Sequence, residues 1–305
     1  MMASNWKDYE IIATGNGEKL ERWGDFVLLR PDPQVIWKAN FDLKSFKDLS
    51  AHYIRKNDGG GYWQFFKQLP PSWNVNYKDL TFQVSPTNFK HTGLFPEQAV
   101  NWDNLRLICR GSIDNHQPQT TNHQSPLKIL NLFAYTGGAS VALSKEGAHV
   151  THLDAAKGMI ERAKKNAELS KIPPDKIRYI ADDAVKFVLR EIKRGVKYDG
   201  ILMDPPSYGR GPGGELWKLE DNLFDLVNLC KNILTDKPLF FLINSYTTGL
   251  QSSVLKNILN IVLGGLKGSV EGYELTLKTN EKGVVLPAGC SGLWTNTCRT
   301  MHNEG

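Results

Sequence analysis

The chain has no long hydrophobic run. No stretch of its 305 residues approaches the roughly 18 consecutive apolar positions of a membrane span. No membrane partner is therefore expected. Cysteine is scarce and scattered: Cys109, Cys230, Cys290 and Cys298 form no Cys-x-x-Cys pair. A structural zinc site needs four convergent ligands, usually in two close pairs, and none is spelled out here. His149 and His152 stand close together but read as ordinary structural histidines. The dinucleotide fingerprint Gly-x-Gly-x-x-Gly is missing, which argues against NAD, and no Gly-Lys-Ser/Thr phosphate loop occurs. Residues Met1 to Glu10 carry no apolar core, so a secretory signal is not expected. Free thiols without such a signal point to the cytoplasm. Charge of one sign is also in short supply. Lys and Arg number 37 against 32 Asp and Glu, a net charge of +5. That balance permits a polyanionic partner without demanding one.

What is present divides in two. The segment 116–126 is polar, lacks periodic apolar positions and reads as an exposed linker or loop. Upstream, Asp25 to Arg30 and Leu80 to Val84 read as short strands, Asn57 to Gly61 as a loop, and Pro70-Pro71 as a break. Residues 1–90 are expected to form a small β-rich accessory domain. Pro96 opens a helix that continues to Arg110. Trp63, Phe65, Phe66 and Trp73 are suited to stack unpaired bases, but burial as that domain's core is the favoured reading.

Downstream, strands and helices alternate. Strands are expected at 128–133, 149–154, 176–180, 198–203 and 238–243. Helices are expected at 139–146, 156–170, 184–194, 216–234 and 250–263. Two late strands, 271–278 and 292–298, follow. This alternation predicts right-handed βαβ units in a mostly parallel sheet covered on both faces. Residues 91–305 are the expected α/β domain. Ligands of such sheets bind beyond the carboxyl ends of the strands.

Four strand ends carry polar or glycine-rich signals. The first reads Leu132-Phe-Ala-Tyr-Thr-Gly-Gly138, where two glycines let backbone come close to a ligand. The second ends in Asp154, a carboxylate placed to accept both hydroxyls of a ribose, or to cap the next helix. The third ends in Asp182-Asp183, where one residue can cap a helix and the other accept an adenine amino group. The fourth, Asp204-Pro-Pro-Ser-Tyr208, is the most specific. Its prolines fix the backbone and remove donors. A carboxylate and a proline carbonyl held side by side can accept both hydrogens of an amino group and aim its lone pair. Tyr208 offers a face for a planar base.

On these segments, with Phe89-Lys-His-Thr-Gly-Leu-Phe-Pro-Glu-Gln98, the chain resembles class I S-adenosylmethionine-dependent methyltransferases over roughly residues 80–298. Within that class it is similar to the large-subunit ribosomal RNA methyltransferases, whose relatives act at cytosine carbon 5 or guanine nitrogen 7. The resemblance implies a Rossmann-like fold with a seven-stranded sheet, S-adenosylmethionine as cofactor, and RNA, ribosomal by analogy, as substrate. It implies that Phe95 and Gln98 close over the methionine end of the cofactor. It places Phe133, Ala134, Tyr135 and Gly137 in the glycine-rich turn, Asp154 on the ribose, Asp183 at the adenine, and Asp204 with Pro205 beside the transferred methyl. Relatives that methylate carbon 5 carry a cysteine just after the fifth strand. Here that place reads Ile243-Asn-Ser-Tyr-Thr247, and Cys290, expected on the last hairpin, is the other candidate thiol. Nitrogen methylation is therefore the favoured expectation. The usual amine-methylating motif has its aromatic directly after the prolines, whereas Ser207 intervenes here. Ser207 to Gly214, with four glycines, reads either as a lid or as a solvated loop. A protein or small-molecule acceptor, and an RNA-associated protein that binds the cofactor without catalysis, are the other two readings.

Overall fold

The computed structural model describes residues 1–56, 60–115, 126–210, 216–247 and 249–296. Most of the expected linker, residues 57–59 of the 57–61 loop, residues 211–215 and Cys298 lie outside them. The chain forms two compact units. The first takes Met1–Val100, Lys165–Lys171 and Leu275–Ala288; the second takes Asn101–Lys164, Ile172–Glu274 and Gly289–Gly305.

The first unit is β-rich. Its strands are β1 (Met2–Ala3), β2 (Tyr9–Gly15), β3 (Glu18–Trp23), β4 (Phe26–Pro31), β5 (Leu49–Arg55), β6 (Gly61–Phe65), β7 (Trp73–Tyr77) and β8 (Leu80–Val84). Strands β2 to β6 form one sheet in sequence order, and β7 pairs with β8 in a hairpin. Asn16 and Gly17 both take positive φ, as the tight β2–β3 turn requires. Ala13, Leu20, Val27, Leu29, Leu43 and Leu49 pack as an apolar core. Inside this unit, Glu21 is fully buried and accepts from Arg30 Nε at 2.6 Å, Arg30 Nη2 at 2.9 Å and Tyr9 Oη at 2.6 Å. The expected aromatic core is corrected. Phe65 and Phe66 are exposed, because β6 is the edge strand of its sheet and Phe66 lies just past its end. Trp63 and Trp73 are half-buried and donate their indole N–H groups to Thr87 O and Trp23 O.

The second unit alternates as the sequence predicts. Its elements are α1 (Ala99–Asn115), β9 (Lys128–Leu132), α2 (Gly138–Lys145), β10 (His149–Asp154), α3 (Lys157–Leu169), β11 (Ile177–Ala181), α4 (Ala184–Arg194), β12 (Gly200–Met203), β13 (Tyr208–Arg210), β14 (Leu216–Lys218), α5 (Leu219–Lys231), β15 (Phe240–Ser245), α6 (Ser252–Leu263), β16 (Ser269–Lys278) and β17 (Val285–Thr295). The first two residues of α1, the end of α3, the C-terminal part of β16 and the start of β17 count with the first unit. The sheet order is β16-β17-β15-β12-β9-β10-β11, the seven strands expected. β15, β12, β9, β10 and β11 run parallel, and β17 is antiparallel to β15. Two-residue β1 adds an eighth strand by pairing with Thr276 and Leu277.

The central parallel strands are mostly apolar, as burial on both faces demands; β12 reads Gly-Ile-Leu-Met and is wholly buried. Chain order proceeds outward from β9 in both directions, to β10 and β11 on one side and to β12 and β15 on the other. The switch point is therefore the crevice between β9 and β12.

Several element boundaries shift by a few residues, and two of the shifts bear on the site. Leu216–Lys218 is not the start of a long helix but a strand, paired antiparallel with Tyr208–Arg210. The helix that follows is correspondingly shorter. The last strand begins earlier than expected, so Cys290 lies inside β17 opposite Ser245 rather than on the hairpin.

Candidate active site

Leu132 and Met203 are register partners at the ends of β9 and β12, so the two most specific sequence segments leave the sheet side by side. After Leu132 the backbone turns through left-handed positions at Phe133 (φ 54°), Tyr135 (φ 50°) and Gly137 (φ 84°). Gly137 N donates to Ala134 O at 3.0 Å, and Ala134 N donates to Leu153 O at 2.9 Å. Gly137 caps α2, and a Cβ there would stand 2.9 Å from Ala163 Cβ. At Gly138 a Cβ would stand 2.5 Å from Trp102 Cζ2. The glycines therefore also serve close packing of the turn against α3 and α1, a reason that sequence reading missed.

Asp154 ends β10 beside this turn. Its Oδ2 accepts Tyr135 N at 2.9 Å and its Oδ1 accepts Ala156 N at 2.9 Å. Burial raises its pKa, and the two backbone N–H groups oppose that rise. The carboxylate is thus fixed in orientation at a strand end, with lone pairs left for a ligand's hydroxyls. Behind it, His152 is fully buried and shares a hydrogen bond of 3.0 Å between its Nδ1 and Ser140 Oγ. Burial depresses its pKa to about 3, so this ring is neutral.

Asp183 performs the capping role: its Oδ1 accepts Lys186 N at 2.9 Å at the start of α4. Asp182 accepts Asp183 N through Oδ1 and pairs through Oδ2 with Arg190. Asp183 retains its second carboxylate oxygen for other partners among the described residues.

Asp204 follows β12 directly. Burial pushes its carboxyl up to about 6, partly offset by the Asn244 amide, which donates to Oδ1 at 2.9 Å. Among the described residues Oδ2 takes no hydrogen bond. Pro205 is buried and Pro206 exposed. The Pro206 carbonyl accepts Trp217 Nε1 at 2.6 Å, and Leu219 N donates to Ser207 O at 3.0 Å. Ser207 and Thr247 hydroxyls are 2.7 Å apart. The Trp217 ring lies 5.2 Å from that of Phe133. The loop is tied at both ends, and Tyr208 stands on the β13–β14 ribbon, 58% exposed. Trp217, which fastens the loop, lies in a segment whose local pattern reads as helix and whose strand pairing with Gly209 only the fold supplies.

Phe95 and Gln98 belong to the first unit. Phe95 caps a 3-10 turn at Pro96–Gln98, its ring 5.3 Å from that of His91, and Gln98 N donates to Phe95 O at 3.1 Å.

Cys290 Sγ donates to Leu250 O at 3.3 Å, and burial, reinforced by Glu274, pushes its thiol up to about 11. A thiol so protonated is a poor nucleophile.

Residues 51–231 match the S-adenosylmethionine-dependent methyltransferase family. The chain belongs to that family. It is 34% identical to a SAM-dependent methyltransferase from Agrobacterium tumefaciens, whose crystal structure it matches with a TM-score of 0.88 over 97% of this chain and 93% of that one. Ribosomal RNA large subunit methyltransferase I of Escherichia coli K12 is 35% identical over 68% of this chain and 55% of its own. Ribosomal RNA large subunit methyltransferase K/L of Syntrophotalea carbinolica is 25% identical over 63% of this chain and 25% of its own. The chain thus spans between about a quarter and about half of these two curated relatives' lengths. The methyltransferase fold accounts for the switch point, and the donor set suits the cofactor. A fixed carboxylate at the end of β10, one strand from a left-handed glycine turn, fits the ribose diol of S-adenosylmethionine.

Proposed function

We propose that the protein transfers the methyl group of S-adenosylmethionine to a nucleobase of RNA, with large-subunit ribosomal RNA as the substrate class and nitrogen as the acceptor atom. The observation that carries this reading is the Asp204 carboxylate, half-buried at the β9–β12 switch point and held on one oxygen by Asn244. S-adenosylmethionine, when bound, supplies an electrophilic methyl carbon on a sulfonium. Asp154 would hold its ribose hydroxyls and Asp183 the adenine edge, with Phe133, Ala134, Tyr135 and Gly137 forming the floor. Asp204 Oδ2 and the Pro205 carbonyl would accept the two hydrogens of an amino group and aim its lone pair along the methyl–sulfur axis. Asp204 would take the proton that the acceptor nitrogen gives up in exchange for the methyl group, the thioether being the leaving group. Tyr208 would stack on the base.

Nitrogen is preferred to carbon 5 because carbon methylation needs a thiolate, and Cys290 is buried, protonated and engaged with Leu250. The ribosomal substrate draws support from the names of the curated relatives. We propose in addition that the enzyme acts in the cytoplasm and that 1–90 is an accessory domain to 91–305. A protein or small-molecule acceptor, or cofactor binding without catalysis, is the rival reading. The test is transfer of a labelled methyl group to total RNA from a strain lacking the gene, followed by nucleoside analysis. Label in an N-methylated nucleoside is expected. Label only in protein overturns the RNA reading, 5-methylcytidine overturns the choice of nitrogen, and no transfer with intact cofactor binding supports the non-catalytic alternative.

A further inference from the structure

Asn244, Ser291, Asn101 and Tyr273 are buried polar residues, and each has a bond that points the same way. Tyr273 Oη donates to Asn101 Oδ1 at 2.7 Å. Asn101 Nδ2 donates to Ser291 Oγ at 3.1 Å. Ser291 Oγ donates to Asn244 Oδ1 at 2.9 Å. Asn244 Nδ2 donates to Asp204 Oδ1 at 2.9 Å. The four bonds run from β16 through α1, β17 and β15 to the end of β12, all within the second unit. Asn101, Asn244 and Ser291 are at most 1% exposed and Tyr273 is 9% exposed.

The direction is fixed by chemistry. A carboxylate accepts only, so Asn244 must turn its NH2 toward Asp204 and its carbonyl toward Ser291. Ser291 then gives its single proton to Asn244 and must accept from Asn101. Asn101 is thereby oriented, with its carbonyl left to receive the Tyr273 phenol. Successive donors aligned in this way polarise one another.

We infer that Asn244, Ser291, Asn101 and Tyr273 act as one positioning relay that locks the Asp204 carboxylate and keeps Oδ2 free to receive the acceptor amine. The inference rests on the proposed role of Asp204 in methyl transfer. Nothing in core packing requires such a relay. Apolar groups of similar shape would fill the same space without the cost of burying four polar side chains. None of the four touches the reacting atoms except through Asp204, so they are positioning and not catalytic residues.

The experiment measures kcat, KM for RNA, cofactor Kd and Tm in four variants of the full chain. Tyr273→Phe removes one oxygen and Ser291→Ala one hydroxyl. Ser291→Thr restores the hydroxyl, and Asp204→Asn tests the carboxylate itself. Each broken link is expected to lower kcat about three- to tenfold, the range of one net hydrogen bond, with KM and cofactor Kd within twofold of the parent. Ser291→Thr is expected to regain most of the loss. If Asp204→Asn abolishes transfer while Tyr273→Phe and Ser291→Ala lower only Tm, the relay is refuted and the role of Asp204 stands. If Asp204→Asn retains transfer, the role of Asp204 itself fails. Should Ser291→Ala not fold, Tyr273→Phe carries the same test by itself.

Discussion

Tyr135 N donates to Asp154 Oδ2 at 2.9 Å, joining the turn after β9 to the end of β10. The same carboxylate caps the bend before α3 through Ala156 N. One side chain therefore shapes the glycine-rich turn and, in the proposed function, takes the ribose hydroxyls. Asp154→Ala is expected to weaken cofactor binding about 10- to 100-fold, the scale of one hydrogen bond to a charged group. Isothermal titration with S-adenosylhomocysteine checks this. Because the turn loses its tie, Tm should fall as well. Unchanged affinity would remove Asp154 from the cofactor site.

Asp204 carries an opposite trade. Its folded pKa, about 6, lies above the ordinary 3.8 because burial disfavours the charge. A raised carboxylate stabilises the fold below pH 4, and that contribution is lost as pH rises through 6. At neutral pH the ionised group costs about 3 kcal/mol. Asp204→Asn should therefore raise Tm at pH 7.5 while lowering kcat at least 100-fold. The Tm advantage should shrink as pH falls from about 6 toward 4. Thermal melts of both proteins across that window decide the matter.

Glu21 behaves in the reverse sense. Burial raises its pKa, but the charges of Arg30 and Lys19 and hydrogen bonds from Arg30 and Tyr9 overcome it and hold the carboxyl at about 2. Its contribution is present above about pH 4.5 and fades as pH falls toward 2. Arg30→Met leaves the buried Glu21 carboxylate without its guanidinium, with only Lys19 at 3.6 Å as a counter-charge. It should cost about 3–5 kcal/mol in denaturant unfolding at neutral pH. A loss below 1 kcal/mol would show that the pair is dispensable.

Cys290→Ala should leave kcat within about twofold, since a thiol held near pKa 11 is less than 0.1% thiolate at neutral pH. Loss of transfer, together with a covalent complex on 5-fluorocytosine RNA in the parent, would reinstate it as the nucleophile.

Much of the fold is legible in the residues themselves. β10 and α4 lie where their apolar patterns place them, at His149–Asp154 and Ala184–Arg194. Fully apolar β12 announces burial on both faces. Ribbon β13–β14 was not legible. Its three-residue strands are too short for a period, and cross-strand pairing rather than local pattern makes them extended.

By itself the sequence determined the alternating α/β unit, the β-rich unit before it, and the strand-end positions of Asp154 and Asp204. Those follow from periodicity and from proline and glycine chemistry, which act over a few residues. Tertiary structure alone decided what holds them. Asn244 reads locally as the place where a cysteine is missing, and only the pairing of β12, β15 and β17 aims its amide at Asp204 with Ser291 behind it. Asn101 and Tyr273 lie 172 residues apart and meet in one chain of donors. Such bonds depend on which strands become neighbours, and that is settled when the whole sheet is assembled.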